Sequence, residues 1–406
     1  MSRSLNGIRV IDLSHVLAMP TCMMILGDLG AEVIKIEPHW GDDSRDFGPW
    51  IDKHGKNRSG YFISLNRNKK SIVLDLKTSK GKEILRDLIK VSDVITENFR
   101  PTTMKKLGFG WEQIHDINPK IIYASICGFG HDSIEDYAAR PAYDMVAQAF
   151  SGIMSLTGPL GGPPCRIGTS SGDITAGHLC AMAILAALYY RKKTGKGQYV
   201  DIAMVDGLFS MLLDAFNYYI VEGTIAEAQG TMDPHITPSQ AFQTKDDWLI
   251  IAAQNDRLWS QYCRAIQRED LVDNPQFKTN ELRTKNRKEL LAILEPLMAK
   301  KTTEEWIDLF KKSDFQAFPI NNVGDMVESP ETKYRGMIRE VNQPGLKKIR
   351  MAGTPFNLSE TPGDIYAPAP QLGEHSENLL KTILGYSKKE IDELKKEKVI
   401  APNLEV

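Results

Sequence analysis

A regular alternation in the first part of the chain constrains the fold more than any other feature of the sequence. Short runs rich in β-branched residues, such as "IRVIDL", "EVIKIE", "SIVLDL", "VITEN" and "IIYASI", alternate with stretches of helical periodicity. This order of strand, helix and strand is typical of parallel βαβ units. The first part of the chain is therefore predicted to be a Rossmann-like, doubly wound α/β sheet.

The glycine-rich fingerprints of common nucleotide-binding proteins are missing from the sequence. The first turn after a predicted strand, "SHVLAMP", has no G-x-G-x-x-G motif, and no G-x-x-x-x-G-K-[ST] motif occurs elsewhere. These loops bind the phosphates of dinucleotides and nucleoside triphosphates. Nicotinamide, flavin and P-loop proteins are therefore disfavoured, and no permanently bound cofactor is predicted.

The length and a change of composition predict a second domain. At 406 residues the chain exceeds the usual size of a single domain. Residues 224–329 open with a polar stretch and continue with the strand "DWLIIAAQ" and amphipathic helices, as expected of a small α+β domain. We predict a large α/β domain built from residues 1–223 and 330–406, with the small domain inserted between these two parts.

Charge and hydropathy argue against nucleic-acid and membrane partners. The 50 basic residues nearly balance the 52 acidic ones, so the chain lacks the overall charge of a protein that binds nucleic acid or an anionic membrane. The start "MSRSLNGIRV" does not resemble a secretory signal, and the most apolar run, "AMAILAALYY", is shorter than a membrane span. A cytoplasmic location is predicted.

The cysteines and histidines give no support for a metal site. The five cysteines are scattered without a C-x-x-C spacing, and no H-x-x-x-H or H-E-x-x-H motif occurs. Neither a disulfide framework nor a metal centre is predicted. His15 and His178 lie near candidate loops, where a histidine is more often a hydrogen-bonded structural residue than a catalyst.

The segment "GTSSGDITAGH" at residues 168–178 holds two candidate nucleophiles. Its first five residues match G-x-S-x-G, which in α/β-hydrolases presents a nucleophilic serine, here Ser170, between a buried strand and a helix. The preceding "GPLGGPPCRI" leaves little room for such a strand. Asp173 stands before a long apolar stretch, where a carboxylate can cap a helix. Held ionised at the helix start, with small residues around it, it can also act as a covalent nucleophile.

Sequence blocks along almost the whole chain resemble those of the family III CoA-transferases, a superfamily that also contains α-methylacyl-CoA racemase. In order, they include "LNGIRVIDLSHVLAMP", "LGAEVIKIEP", "VSDVITENFRP", "RPAYDMVAQAFSGIMSLTG", "SGDITAGH", "TGKGQYVDIAMVDG" and "LGEHSENLL". The resemblance implies a large α/β domain with an inserted small domain, in two chains that form an interlocked homodimer. It also implies an acyl-CoA and a carboxylic acid as substrates.

The resemblance implies that Asp173 is the catalytic nucleophile. In the implied mechanism, Asp173 forms an anhydride with the acyl group and then an aspartyl-CoA thioester, from which an acceptor acid takes the CoA. The α-methylacyl-CoA racemases share this aspartate but pair it with a histidine where this chain has Tyr143, so a transferase is favoured over a racemase. A hydrolase that uses Ser170 and a catalytically silent CoA-binding protein stay open as further alternatives.

The resemblance also implies which residues contact the substrates. Positions that contact CoA in the family carry Val16, Leu74, Lys77, Asn98, Phe99 and Lys106, and Arg140 is next to another such position. Without the resemblance, core packing or an ordinary surface location would explain each of them. Pro38 replaces a family arginine, so one phosphate contact is lost or supplied from elsewhere.

The pocket for the acid is expected to include His15, Leu17, Tyr143 and Asp144. The formyl-CoA:oxalate enzymes of the family carry a glutamine at the position of Leu17. Its replacement by an apolar side chain disfavours oxalate. Together with Met19, Leu17 suggests a less polar acid.

Overall fold

The computed structural model describes residues 3–52, 55, 58–138 and 140–400. The chain divides into two compact units, of which the first comprises Met1–Ile153, Arg166–Ile220 and Pro330–Val406, and the second comprises Met154–Cys165 and Val221–Ser329. The second unit thus includes residues 154–165, which the sequence analysis places in the large domain. A hydrogen bond from the backbone N–H of Gly230 to the carbonyl oxygen of Gly158 ties this loop to the rest of the second unit.

Up to residue 222, strands are interspersed with helices. The strands are β1 (Arg9–Asp12), β2 (Glu32–Glu37), β3 (Lys69–Val73), β4 (Val94–Glu97), β5 (Ile122–Cys127) and β6 (Gln198–Ala203). The helices are α1 (Ala18–Asp28), α2 (Gly60–Asn66), α3 (Ser79–Lys90), α4 (Thr103–Leu107), α5 (Trp111–Ile117), α6 (Glu135–Ala138), α7 (Asp144–Ser151), α8 (Ile153–Leu156), α9 (Ser171–Thr194), α10 (Met204–Phe209) and α11 (Leu213–Glu222), with a short 3₁₀ helix at Asp43–Asp46.

The rest of the chain adds a second group of strands and helices. Residues 239–328 contain β7 (Ser239–Gln243), β8 (Trp248–Ala252), α12 (Asp256–Ala265), a 3₁₀ helix (Glu269–Leu271), α13 (Asn280–Lys285), α14 (Arg287–Met298), α15 (Thr303–Lys312), β9 (Phe318–Pro319) and α16 (Val323–Glu328). The C-terminal part contains α17 (Pro330–Tyr334), β10 (Ile338–Asn342), β11 (Lys348–Ala352), α18 (Ser376–Leu384) and α19 (Lys388–Lys396).

Strands β1 to β6 form one parallel sheet in the order β3-β2-β1-β4-β5-β6. The predicted α/β fold with a parallel central sheet is confirmed. This order is that of a doubly wound sheet, in which the direction of winding reverses between β1 and β4. The loops that follow these two strands therefore lie side by side at the carboxyl edge, where open α/β sheets bind their ligands.

Apolar side chains cover both faces of the sheet because its strands are runs of β-branched residues. Val10 of β1 packs into a core with α1 and α9, whereas the next residue, Ile11, packs into a core on the opposite face with α3 and α5. Helix α3 contributes one apolar stripe to that second core, as an amphipathic surface helix should. This stripe consists of Ile84, Leu85, Leu88 and Ile89.

The second unit has an antiparallel sheet in the order β7-β8-β9. Its core is rich in aromatic side chains from the helices that accompany this sheet, including Trp259, Tyr262, Trp306 and Phe310. Strands and helices thus share a separate apolar core in this unit.

Helix α9 extends well beyond its most apolar run. The run "AMAILAALYY" alone is too short to span a membrane, but the helix is continuous over 24 residues, from Ser171 to Thr194. By length and composition only, it is long and apolar enough to cross a membrane, a test that the core helix of a soluble protein also passes. Ala176, Cys180 and Ile184 of this helix are fully buried in the core that it shares with α1.

Candidate active site

A cavity of about 190 Å³ opens at the carboxyl edge of the sheet, where the winding reverses. Its wall includes residues 15–18 after β1, residues 98–101 after β4, residues 126–129 at the end of β5, and Met204 after β6. Ala138, residues 140–143 and Asp173 also line it. Segments far apart in sequence meet here because the strands are parallel and end at the same edge.

Asp173 brings a carboxylate to this cavity. It is the third residue of α9, and Ser170, at the N-cap position, makes no side-chain capping hydrogen bond with the residues that the structure describes. Instead, Oδ1 of Asp144 accepts a hydrogen bond of 2.7 Å from the backbone N–H of Gly172. Asp144 therefore caps the helix from α7, and Asp173 lies half-buried at the cavity wall.

Burial raises the pKa of Asp173 to about 7, and the negative charge of Asp144 contributes further to this shift. Loss of hydration thus opposes the ionisation that a position at a helix start favours. At neutral pH both protonation states of Asp173 are populated. Such a shift at a cavity wall is typical of a functional group.

Gln148 of α7 fixes the loop that leads to Asp173. Its side-chain nitrogen donates to Asp144 over 2.7 Å and to the carbonyl oxygen of Thr169 over 3.2 Å. Its side-chain oxygen accepts a hydrogen bond of 2.9 Å from the backbone N–H of Ile167. Because Gln148 is fully buried, these bonds hold the start of α9 in a fixed position against α7.

The glycines on either side of Asp173 allow helices to approach each other closely. A Cβ atom at Gly172 would lie 3.1 Å from Oδ1 of Asp144, and one at Gly177 would lie 2.6 Å from the carbonyl oxygen of Ala18. Both glycines are buried. Protein atoms therefore occupy the space beside these two glycines.

A second cavity, of about 380 Å³, lies next to the first, and His15 and Phe99 line both. Its wall includes residues 13–15, 36–43 and 74–77, together with Phe99 and Leu107. Lys77 is exposed, with its Nζ atom 6.0 Å from the centre of the Trp40 ring. This cavity therefore combines an aromatic ring, apolar side chains and a cation with the carboxylates of Glu37, Asp42, Asp43 and Asp75.

Most residues that the sequence analysis assigns to substrates lie at these cavities. The first is lined by His15, Val16, Leu17, Asn98, Phe99, Arg140 and Tyr143, and the second by His15, Pro38, Leu74, Lys77 and Phe99.

Of the assigned residues, all of which are described, Asp144 and Lys106 line neither cavity. Asp144 is buried, since its carboxylate binds Gly172 and Gln148, and Lys106 is exposed on α4. Met19 is fully buried in the core, so it gives no information about the polarity of the acid.

The hydrolase motif lacks its structural context. Residues 157–170, all of them described, form no strand, and Ser170 directly precedes α9. A nucleophile elbow needs a strand immediately before the serine. The chain around Ser170 therefore does not have the geometry of a hydrolase nucleophile.

Sequence reasoning missed Arg100 and the buried ion pair between Lys35 and Asp42. Arg100 lines the first cavity, as does Arg140. The Nζ atom of Lys35 lies 2.8 Å from Oδ2 of Asp42, and each side chain is at most 1% exposed. The lysine within the apolar run "EVIKIE" was the available signal, because a central strand of a parallel sheet is buried on both faces and a charge there needs a partner.

Comparisons with known proteins identify the family of the chain. A family model described as CoA-transferase family III matches residues 5–376. The chain is 38% identical over 393 residues to the succinyl-CoA:glutarate CoA-transferase of Homo sapiens. This alignment covers 97% of this chain and 89% of the relative. It is 37% identical over 382 residues to the succinyl-CoA:mesaconate CoA-transferase of Haloarcula hispanica, in an alignment that covers 93% of this chain and 96% of the relative.

A solved structure has the same fold. The crystal structure of a CAIB/BAIF family protein from Brucella suis matches with a TM-score of 0.85 at 35% identity, covering 94% of this chain and 100% of that one. The relatives named above are CoA-transferases, which supports an enzyme that moves CoA between acyl-CoA thioesters and carboxylic acids. The family match spans most of the chain, and the chain therefore belongs to CoA-transferase family III.

Proposed function

We propose that the protein transfers CoA by covalent catalysis at Asp173. The carboxylate attacks the thioester carbonyl of a donor acyl-CoA, which forms a mixed anhydride and releases CoA thiolate. The thiolate attacks the aspartyl carbonyl, which forms an aspartyl-CoA thioester and releases the donor acid as a carboxylate. An acceptor carboxylate then reverses both steps and leaves as the new acyl-CoA, so that Asp173 is regenerated and no proton is consumed.

The observation that carries this proposal is the position of Asp173. Among the described residues that line the first cavity, it is the one carboxylate. A carboxylate can form an anhydride and then a thioester, both of which pass on their acyl groups readily, whereas serine would form a less reactive ester. The pKa of about 7 supports this role, because a poorly hydrated carboxylate is a stronger nucleophile than one in water.

The two neighbouring cavities suggest where CoA binds. We propose that the thioester lies in the first cavity beside Asp173 and that the nucleotide lies in the second, against Leu74 and Phe99. Lys77, at the wall of the second cavity, offers a cation for a phosphate, and Trp40 offers an aromatic surface for the base. These groups could compensate for the arginine that Pro38 replaces.

Short dicarboxylic acids are the proposed substrates. Two of the relatives are named for succinyl-CoA with glutarate or mesaconate, and these three names refer to dicarboxylic acids. Arg100 and Arg140 line the first cavity, where either could pair with the second carboxylate of such an acid. Succinyl-CoA is therefore the first donor to test, with glutarate and mesaconate as acceptors.

Mass spectrometry tests the covalent mechanism. The protein is incubated with a panel of acyl-CoA esters, trapped with hydroxylamine and digested, and the modification is expected on the peptide that contains Asp173. Asp173→Ala should abolish transfer, while its matched control, Ser170→Ala, should retain most of the activity. An unmodified Asp173 in a protein that binds the esters would contradict the mechanism.

Proton exchange separates the transferase from the racemase. A racemase removes the α-proton of its acyl-CoA, so it would incorporate deuterium from deuterated water. We expect no incorporation under conditions in which CoA is transferred, since Tyr143 stands where the racemases carry their second base. Rapid incorporation would favour the racemase.

We further propose that two chains form a homodimer, interlocked as the resemblance implies. In the first unit, large apolar side chains of α7, α9 and α11 are exposed, including Met145, Phe150, Met182, Tyr189, Leu213, Phe216 and Tyr219. Exposed apolar residues in this number favour a protein partner. Light scattering after size exclusion should give twice the mass of the chain, and the mass of a single chain would contradict the proposal.

We also propose that the protein is located in the cytoplasm. The five cysteines, all of them described, are free thiols, which fits a reducing compartment. Fractionation of cells that express the protein tests this point.

A further inference from the structure

Asn98 binds the backbone of the turn that follows β1. Its side-chain oxygen accepts a hydrogen bond of 2.9 Å from the backbone N–H of His15, and its side-chain nitrogen donates over 2.8 Å to the carbonyl oxygen of His15. One side chain thereby satisfies both backbone groups of a residue 83 positions away. The side-chain amide of Asn98, which was predicted to contact CoA, is thus already hydrogen-bonded within the protein.

Two further side chains hold the residues on either side of His15. The Nζ atom of Lys35 donates over 2.6 Å to the carbonyl oxygen of Ser14, and Oδ1 of Asp42 accepts a hydrogen bond of 3.2 Å from the backbone N–H of Val16. Burial disfavours a charge on either side chain, but their mutual attraction lowers the pKa of Asp42 and raises that of Lys35. The pair therefore stays charged and holds the turn through hydrogen bonds to the backbone of Ser14 and Val16.

Val16 has a backbone conformation that a β-branched residue rarely adopts. Its φ angle is +65°, in the left-handed region, where the Cβ atom crowds the backbone. Such a conformation persists only where the surrounding structure holds it, and conformations of this kind are concentrated at functional sites. Here the hydrogen bond to Asp42 and the two bonds between Asn98 and His15 provide that restraint.

The same turn forms part of both cavities. His15 and Val16 line the first cavity together with Asp173, and Ser14 and His15 line the second. A displaced turn would therefore change the wall against which an acyl-CoA must be held. Attack by a nucleophile requires the reacting atoms in near-attack geometry, and small errors in their placement greatly slow the reaction.

We propose that Asn98 is a positioning residue for CoA transfer, which, together with the Lys35–Asp42 pair, holds the strained turn at residues 14–17 in the shape that places the thioester against Asp173. This inference rests on the proposed function. It requires no hydrogen bond between the amide of Asn98 and CoA. Loss of the amide should therefore slow the reaction of bound substrate more than it weakens the binding of CoA.

The test combines steady-state kinetics, with a donor that modifies Asp173, and calorimetric binding of free CoA. Asn98→Ala should lower kcat by about tenfold, because misplaced reacting groups cost at least this much. The Kd for CoA should change by less than about threefold, since no contact with CoA is lost.

Asn118→Ala is the matched control. The side-chain nitrogen of Asn118 also donates to backbone carbonyl oxygens, of Ile89 over 2.9 Å and of Ser92 over 3.0 Å, but at the opposite edge of the sheet. This variant loses comparable hydrogen bonds far from the turn. It should leave kcat unchanged.

Glycine at position 16 tests the part played by strain. Glycine adopts a positive φ without steric cost, so Val16→Gly lets the turn keep its shape with less restraint. In the Asn98→Ala background, Val16→Gly should therefore restore kcat by at least about threefold, as expected for two coupled sites. The absence of any recovery would contradict the proposed role of the strained turn.

Two further results would overturn the inference. If Asn98→Ala has the same kcat as the wild-type protein, the turn needs no restraint from Asn98. If it loses CoA affinity with kcat unchanged, Asn98 is a CoA contact.

A second variant covers the case in which Asn98→Ala does not fold. Asn98→Asp keeps an acceptor for the N–H of His15 but cannot donate to its carbonyl oxygen, so it should also lower kcat at unchanged CoA affinity. If the proposed function itself is wrong, the result differs from all of these. The wild-type protein would then show neither CoA transfer nor modification of Asp173.

Discussion

The protonation of Asp173 connects the geometry of the cavity with a measurable pH dependence. Its pKa of about 7 lies above the ordinary value of 3.8, first because of burial and then because of the charge on Asp144. Only the ionised carboxylate attacks a thioester, so kcat/KM should rise about tenfold per pH unit below roughly pH 7 and level off above it. A pH profile of kcat/KM measures this, and a flat profile from about pH 5 to 8 would contradict it.

Asp144→Asn separates the two causes of the raised pKa. Asparagine keeps an oxygen that accepts the hydrogen bond from Gly172 and carries no charge, although its nitrogen cannot accept the hydrogen bond from Gln148. The pKa seen in the profile of kcat/KM should fall, yet stay above 3.8, because burial is the larger cause. The variant should therefore keep more of its maximal activity at acidic pH.

Asp87→Asn, on the surface of α3, is the control for this charge change. Asp87 pairs with Lys90 and, among the described residues, lines neither cavity. The pH profile of kcat/KM for Asp87→Asn should match that of the wild-type protein. An unshifted profile for Asp144→Asn would mean that the charge of Asp144 does not act on Asp173.

At the scale of the elements, the site depends on the close packing of α1 against α9. Gly177→Ala would place a Cβ atom 2.6 Å from the carbonyl oxygen of Ala18, so the two helices must separate. We expect a loss of about 1–3 kcal/mol of unfolding free energy, as is usual for overpacking of a core. Because both helices begin at the first cavity, kcat/KM should fall as well. Denaturant unfolding and steady-state kinetics measure the two effects.

Gly168→Ala is the matched control for Gly177→Ala. No atom of the described residues lies within 4 Å of a Cβ atom built at Gly168, and its φ angle is not in the left-handed region. The substitution should change the unfolding free energy by less than about 0.5 kcal/mol. Equal effects of the two substitutions would show that the close approach at Gly177 is not required.

The sequence predicts the elements of the sheet better than the contacts between them. Runs such as "IRVIDL" and "EVIKIE" became strands because β-branched residues fit a sheet that is buried on both faces. The cap of α9 could not be predicted, because it comes from Asp144, a residue 28 positions before Gly172. The role of Asn98 was hidden for the same reason. Its partner, His15, follows a different strand, and hydropathy patterns do not encode where a polar side chain finds its partner.

At the scale of the whole molecule, both cavities belong to the first unit. Every described residue that lines them falls within Met1–Ile153 or Arg166–Ile220. The second unit has its own apolar core, in which Leu290 is fully buried. Damage to that core should therefore be separable from the binding of CoA.

Leu290→Ala tests this separation. Truncation of a buried leucine should destabilise the second unit by about 2–5 kcal/mol, which thermal unfolding measures. Below the unfolding temperature, the Kd for free CoA should stay the same in calorimetry. Leu13→Ala is the matched variant in the first unit: Leu13 is also buried but lines the second cavity, so this truncation should weaken CoA binding. Equal losses of CoA affinity in both variants would mean that the second unit takes part in binding CoA, and would contradict the assignment of the nucleotide site to the first unit alone.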